Sequence, residues 1–208
     1  MNLYKDREEK AKWGVQQFKS IFEEIGSVLD IGCDERYLEK FILKKIKYVG
    51  IDKFGNPDIY FDLDKKEELP FKNNNFDLVF CADVLEYLED IYFVFDELCR
   101  VSRKYIIVSL PNPFSGIFAV LLGKKMKFYG LPLEKPKDRH RWFFNTEEAV
   151  DFVRYRSEKN KWEILKIIYT VNFQGNFKKL FEFIISGFNK KRALNWFNGT
   201  TWFLIKKI

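Results

Sequence analysis

The chain has few of the residues from which metal centres and nucleophilic hydrolases are built. It has one histidine, His140, and three cysteines, Cys33, Cys81 and Cys99, in 208 residues. No pair of cysteines has C-x-x-C spacing, so no structural zinc or other metal site is expected. The odd number of thiols points to a reducing compartment rather than a disulfide framework. Long apolar runs are also lacking. The best candidate for insertion, 117–122, is far short of the roughly 20 residues a bilayer demands. Met1 to Asp6 has no apolar targeting core, and a cytoplasmic location is the expectation. The phosphate-cradling pattern G-x-G-x-x-G is missing too, because after Gly32 the later glycine positions hold Asp34 and Arg36.

Aromatic and charged residues are plentiful but unevenly spread. Hydrophobic residues make up 47% and aromatics 18%, with 23 Phe, which is ample for the core of one domain with large buried contacts or an apolar pocket. Residues 1–111 carry a net charge of −5, and residues 112–208 carry +11. A basic second half suits a phosphorylated or carboxylated substrate, an RNA or an anionic membrane face. Solvated lysines on helix faces would give the same balance.

The most informative stretch is Val28-Leu29-Asp30-Ile31-Gly32-Cys33-Asp34, followed by Tyr48-Val49-Gly50-Ile51-Asp52. Each reads as a short buried strand ending in a carboxylate, with a tight turn and a helical pattern from Tyr37 to Ile46 between them. Such a β-turn-α-β unit lets a ligand approach the backbone at the first turn. The acid at the tip of the second strand, Asp52, can take both hydroxyls of a ribose. Asp34 in the turn would repel a pyrophosphate, which disfavours a nicotinamide dinucleotide. S-adenosylmethionine, with no phosphate and a positive centre, suits the turn better.

These two segments resemble motifs one and two of class I, Rossmann-like, S-adenosylmethionine-dependent methyltransferases (type 11-like). The resemblance continues through Phe61-Asp62-Leu63, Leu69-Pro70-Phe71, the run from Asn75 to Leu88, and Arg100-Val101-Ser102 with Tyr105 to Asn112. It implies that Asp30, Gly32, Cys33, Asp52 and Lys53 hold the methionine and ribose portions. Asp62 and Leu63 would meet the adenine, and Ala82 and Asp83 would sit beside the sulfonium. A His-x-x-Phe-Phe segment, His140 to Phe144, would border the substrate. His140 is therefore a candidate base, Tyr87 a weaker one, and Arg139, Arg141 and Trp142 are candidates for binding an anionic acceptor. Tyr87 stands where many relatives carry His. The arginines beside His140 are expected to lower its pKa.

The expected fold is α/β, a doubly wound sheet of seven strands, mostly parallel with an antiparallel final strand and helices on both faces. One methyltransferase domain is expected over 1–208. It divides into an N-terminal helix (1–26), a cofactor half (27–111), a substrate-side insertion (112–145) and closing helices and strands (146–208). Strands are expected at about 27–32, 48–52, 58–63, 76–81 and 105–110. The final pair runs from Trp162 to Phe173 and from Thr200 to Lys207. Helices are expected from Tyr4 to Ile25, at about 37–46, 89–102 and 114–122, from Thr146 to Arg156, and from Phe177 to Phe188. The implied function is methyl transfer from S-adenosylmethionine to a small-molecule or lipid-like, anionic acceptor. The alternatives are an RNA methyltransferase or a methyltransferase-like binding module without catalysis.

Overall fold

A computed structural model of the protein describes residues 4–116, 138–171 and 190–208, with Gly123 and Glu134. Seven strands form one sheet: β1 (Ser27–Ile31), β2 (Lys47–Asp52), β3 (Ile59–Tyr60), β4 (Phe76–Ala82), β5 (Ser102–Pro111), β6 (Trp162–Val171) and β7 (Asn198–Lys207). Their order is β3-β2-β1-β4-β5-β7-β6. The first five run parallel, and β7 is antiparallel to both of its neighbours. The order reverses between β1 and β4, which opens a crevice at their carboxyl ends.

Strand alternation explains the two layers. Along β4, Leu78 and Phe80 belong to one apolar cluster, and Val79 and Cys81 to the other. β5 does the same with Ile107 against Ile106 and Val108, and β7 with Trp202 and Leu204 against Phe203 and Ile205. A period of two therefore feeds cores on opposite faces of the sheet. One face is covered by α1 (Arg7–Gln17) and α2 (Lys19–Glu24); the other is covered by α3 (Ile91–Val101) and α4 (Thr146–Lys159). A fifth helix, α5 (Lys190–Phe197), precedes β7.

The single helix expected from Tyr4 to Ile25 is two helices. Asp6 caps α1 by accepting the Glu9 amide at 2.8 Å, and Phe18 (φ −115°, ψ 28°) breaks the run. Phe18 is 2% exposed and packs on Trp202, so burying its ring is compatible with bending the chain there. Gly14 brings α1 hard against the sheet: a Cβ there would lie 3.3 Å from Phe80 Cζ and Trp202 Cη2.

The helix expected at 37–46 is only a 3-10 turn, Leu38–Lys40. Asp34 and Arg36 both adopt left-handed backbone conformations (φ 48° and 58°), which uses up the start of the crossover. Side-chain pairs of Arg36 with Glu39 and Asp58 hold the segment instead. β3 is shorter than expected because the Asp62 carboxylate accepts the Asp64 amide at 3.1 Å and starts a turn, Leu63–Lys65. α4 begins with a capping box between Asn145 and Glu148, and it runs three residues beyond Arg156. Pro113–Gly116 forms a 3-10 turn. The remainder of the helix expected at 114–122, and the one from Phe177 to Phe188, lie outside the described residues.

Candidate functional site

The carboxyl ends of β1, β2 and β4 border a cleft of about 650 Å³. All nine residues expected to hold the cofactor line it: Asp30, Gly32, Cys33, Asp52, Lys53, Asp62, Leu63, Ala82 and Asp83. Gly32 has φ +72°, and a Cβ on it would come 2.4 Å from Val84 Cγ2. Only glycine satisfies both the conformation and the space.

Asp52 is fixed by the backbone. One carboxylate oxygen accepts the Asp34 amide at 2.9 Å, and the other accepts the Phe54 amide at 3.0 Å. Each oxygen keeps a second lone pair, which is what two adjacent ribose hydroxyls require. The turn amides are less available than expected. Gly32 and Cys33 both donate to the Ile51 carbonyl, at 2.9 and 3.3 Å, so the Cys33 amide is committed to β2 rather than to a ligand. The Cys33 thiol is buried and pushed up to about 12, first by burial and then by the charges of Asp30 and Asp52.

Asp30 is 5% exposed and accepts the Tyr48 hydroxyl at 2.9 Å. Burial pushes its carboxyl up to about 7, against the hydrogen bond from Tyr48 and with the help of the Asp52 charge. Asp83 ends β4 in the left-handed region (φ 53°) and accepts the Ser109 hydroxyl. Lys53 bridges Asp138 at 2.8 Å and Asp64 at 3.8 Å. Burial opposes its charge, but those acids hold its pKa above the ordinary lysine value.

The substrate-side candidates divide. Tyr87 lines the cleft, and His140 meets its ring edge-on with centroids 4.4 Å apart. The expectation that arginines depress His140 is corrected. Its pKa falls to about 4 because of burial, with Lys10 adding to the fall and Asp138 opposing it. Tyr87 is pushed up to about 12 by burial and by Glu86, so at neutral pH it is a phenol, not a base. Arg139, His140, Arg141 and Trp142 are not among the residues that line the cleft. Arg139 is exposed. The Arg141 side chain pairs with Asp64 and Glu89, both at 3.3 Å. The Trp142 indole donates to the Leu88 carbonyl at 2.7 Å, and its ring meets Tyr92 edge-on. These last two tie the segment to the turn after β4.

Among the lining residues that the sequence did not mark are two cations from α1. Arg7 and Lys10 reach into the cleft, Arg7 pairing with Asp34 and Lys10 with Asp83. The available signal was that Lys10 stands on the same helical stripe as Gly14 and Phe18, so a lysine occupies a core-facing position.

A doubly wound sheet with glycine and acid at its first two strand ends, and a cleft at the switch point, defines a nucleoside-cofactor protein of the Rossmann-like class. Residues 4–152 match the family model described as "Methyltransferase domain". The chain belongs to that methyltransferase family, and its fold is that of the class I S-adenosylmethionine-dependent enzymes. Among solved structures, it is similar to an S-adenosylmethionine-dependent methyltransferase from Archaeoglobus fulgidus, with 17% identity and TM-score 0.60 over 96% of this chain and 94% of that one. Magnesium protoporphyrin IX methyltransferase from Synechocystis PCC 6803, solved with bound S-adenosylhomocysteine, has 16% identity and TM-score 0.57, covering 97% and 83%. A Haloferax volcanii methyltransferase in complex with the Trm112 activator has 12% identity and TM-score 0.55, covering 94% and 92%. No curated protein sequence matches. Among the described residues, no helix is long and apolar enough to cross a membrane.

Proposed function

We propose that the cleft holds S-adenosylmethionine with its ribose on Asp52, and that the acceptor is a small-molecule or lipid-like anion. The observation that carries this reading is the Asp52 carboxylate, clamped by two backbone amides at the mouth of the cleft with one lone pair on each oxygen to spare. Gly32, where no side chain fits, leaves room for the methionine portion, and Asp62 with Leu63 flanks the adenine end. The pairing of Asp34 with Arg7 fills the turn where a dinucleotide would need open amides.

When bound, the cofactor supplies an already activated methyl group on a positive sulfur. The protein's part is then mostly placement: fixed groups hold the reacting atoms in line, and this supplies much of the rate. His140 is neutral at physiological pH, with its ring set against Tyr87. That pair stands beside the cleft, where Tyr87 lines the wall. The excess of basic residues after 111, Arg139 among them, favours an anionic acceptor over a cationic one.

The test is calorimetric titration with S-adenosylmethionine and S-adenosylhomocysteine, for the wild type and Asp52→Ala. Losing two charge-assisted hydrogen bonds at about 1.5–3 kcal/mol each predicts at least a hundredfold weaker binding by the variant. Unchanged affinity would reject the ribose assignment. If a folded wild-type protein bound neither compound, the binding-module reading would stand in its place. RNA affinity that falls steeply with salt would make RNA the acceptor.

A further inference from the structure

Buried charge that cofactor placement alone does not use gathers at the α1 wall of the cleft and behind it. Lys10 of α1 is 8% exposed and Glu86, in the turn after β4, is 0% exposed. The Lys10 ammonium pairs with Asp83 and lies over the rings of Tyr4 and Trp202, 5.5 and 5.3 Å from their centroids. Neither Glu86 carboxylate oxygen has a hydrogen-bond partner on another residue among the described residues, and the Lys10 ammonium has its ion pair with Asp83 to offset its burial. Such groups are costly unless the site uses them. The other groups around Lys10 are Arg7 on its own helix, Cys81 on β4, Tyr4 ahead of α1 and His140 from the returning segment.

We propose that Lys10 is a proton-exchanging residue of this site, giving one proton to solvent when the positively charged S-adenosylmethionine enters and regaining one when S-adenosylhomocysteine is left. The inference rests on the reading that the cleft holds this cofactor. Lys10 lines the same cleft as Asp52 and Gly32, so a second cation placed there repels its largely buried ammonium. Burial lowers the Lys10 pKa, with Arg7 pushing the same way and Glu86 resisting, while the ion pair with Asp83 holds the ammonium in the absence of a second cation. A further push near neutral pH therefore releases the proton.

Methyl transfer then balances within the cleft. The acceptor's O–H or N–H gives its proton to the Lys10 lone pair as its bond to the methyl carbon forms. The methyl–sulfur bond breaks with its electron pair left on sulfur. The positive charge lost at sulfur reappears on Nζ.

Calorimetry of the full chain with each compound tests this, between about pH 5.5 and 8 and in two buffers of different ionisation enthalpy. Below the Lys10 pKa, S-adenosylmethionine should bind about tenfold more tightly per pH unit and release about one proton. S-adenosylhomocysteine should show neither effect. Asp30, whose ionised form also favours the cation, adds a pH dependence of its own. The Lys10 contribution is therefore read in an Asp30→Asn background, where adding Lys10→Met should remove the dependence that remains. Lys10→Arg, which keeps the charge, should lose more affinity for S-adenosylmethionine than for S-adenosylhomocysteine, with no Lys10-linked pH dependence. Equal pH dependence for both compounds overturns the proposal. So does a dependence that vanishes entirely in Asp30→Asn with Lys10 in place, which assigns the proton to Asp30 alone. Failure of the wild type to bind either compound overturns the cofactor reading along with it, and so is distinguishable from failure of the proton linkage alone.

Discussion

Asp30→Asn should make the protein more stable in alkali and worse at binding its cofactor. Asp30 sits on β1, between β2 and β4, 5% exposed, and accepts the Tyr48 hydroxyl at 2.9 Å. Its carboxyl moves from 3.8 to about 7 on folding, which at about 1.36 kcal/mol per pH unit is about 4 kcal/mol. The sign follows from the direction. The folded pKa lies above the unfolded one, so the favourable state is complete below the unfolded value and is lost as pH rises through the folded value. Above about 7 the whole cost is present. A cost of this size is a large part of the 5–15 kcal/mol by which domains are stable.

Asparagine keeps the shape and the oxygen that accepts from Tyr48, but it cannot ionise. Urea unfolding of the wild type and the variant at pH 5 and pH 8.5 isolates the effect. The variant should gain about 3 kcal/mol on the wild type between the two conditions, since that much of the penalty develops above pH 5. Its affinity for S-adenosylmethionine should fall, because the ionised acid faces the positively charged ligand. A stability difference that does not change with pH would refute the reasoning, as would one of the opposite sign.

Three further outcomes follow from single contacts. Gly32→Ala places a Cβ 2.4 Å from Val84 Cγ2 at φ +72°; it should lower stability by about 1–3 kcal/mol and abolish cofactor binding, measured by thermal melting and calorimetry. Asp77 is opposed by burial, but the Gly26 amide and Arg103 hold its carboxyl below the usual value. Its contribution is present above the unfolded pKa and lost as pH falls, so Asp77→Asn should flatten the acid side of the stability profile. Asn145→Ala removes the side chain that accepts the Glu147 and Glu148 amides; it should cost about 1 kcal/mol in urea unfolding with cofactor affinity unchanged.

The fold was legible wherever period and punctuation agreed. β1, β2, β4 and β5 are apolar runs closed by turn residues, and the start of α4 announces itself with Asn145 and Glu148. The misread elements have tertiary causes. The pattern at 37–46 has helical spacing, yet its conformation is set by left-handed Asp34 and Arg36 and by ion pairs to Asp58, which lies beyond the next strand. The break at Phe18 similarly depends on Trp202, far along the chain.

The site divides along the same line. One wall is made of residues next to strand ends, where a local motif fixes the geometry, and the nine residues expected there from the sequence all line the cleft. Its opposite wall is made by α1 folding back over the crevice, and no local signal reports that distance. Lys10 shows what such a residue looks like beforehand. It lies on the stripe that buries Ala11, Gly14 and Phe18, where a lysine costs stability unless a partner or a ligand repays it. Glu86 raises the same question from behind that wall. Its backbone carbonyl holds the Arg141 and Trp142 amides, which positions the His140 segment, while its carboxyl stays buried and is pushed up to about 8 chiefly by burial, against the pull of Lys10. Packing alone would be served as well by glutamine at 86 and methionine at 10. That the chain keeps two ionisable groups there instead fits a corner where charge changes during the reaction.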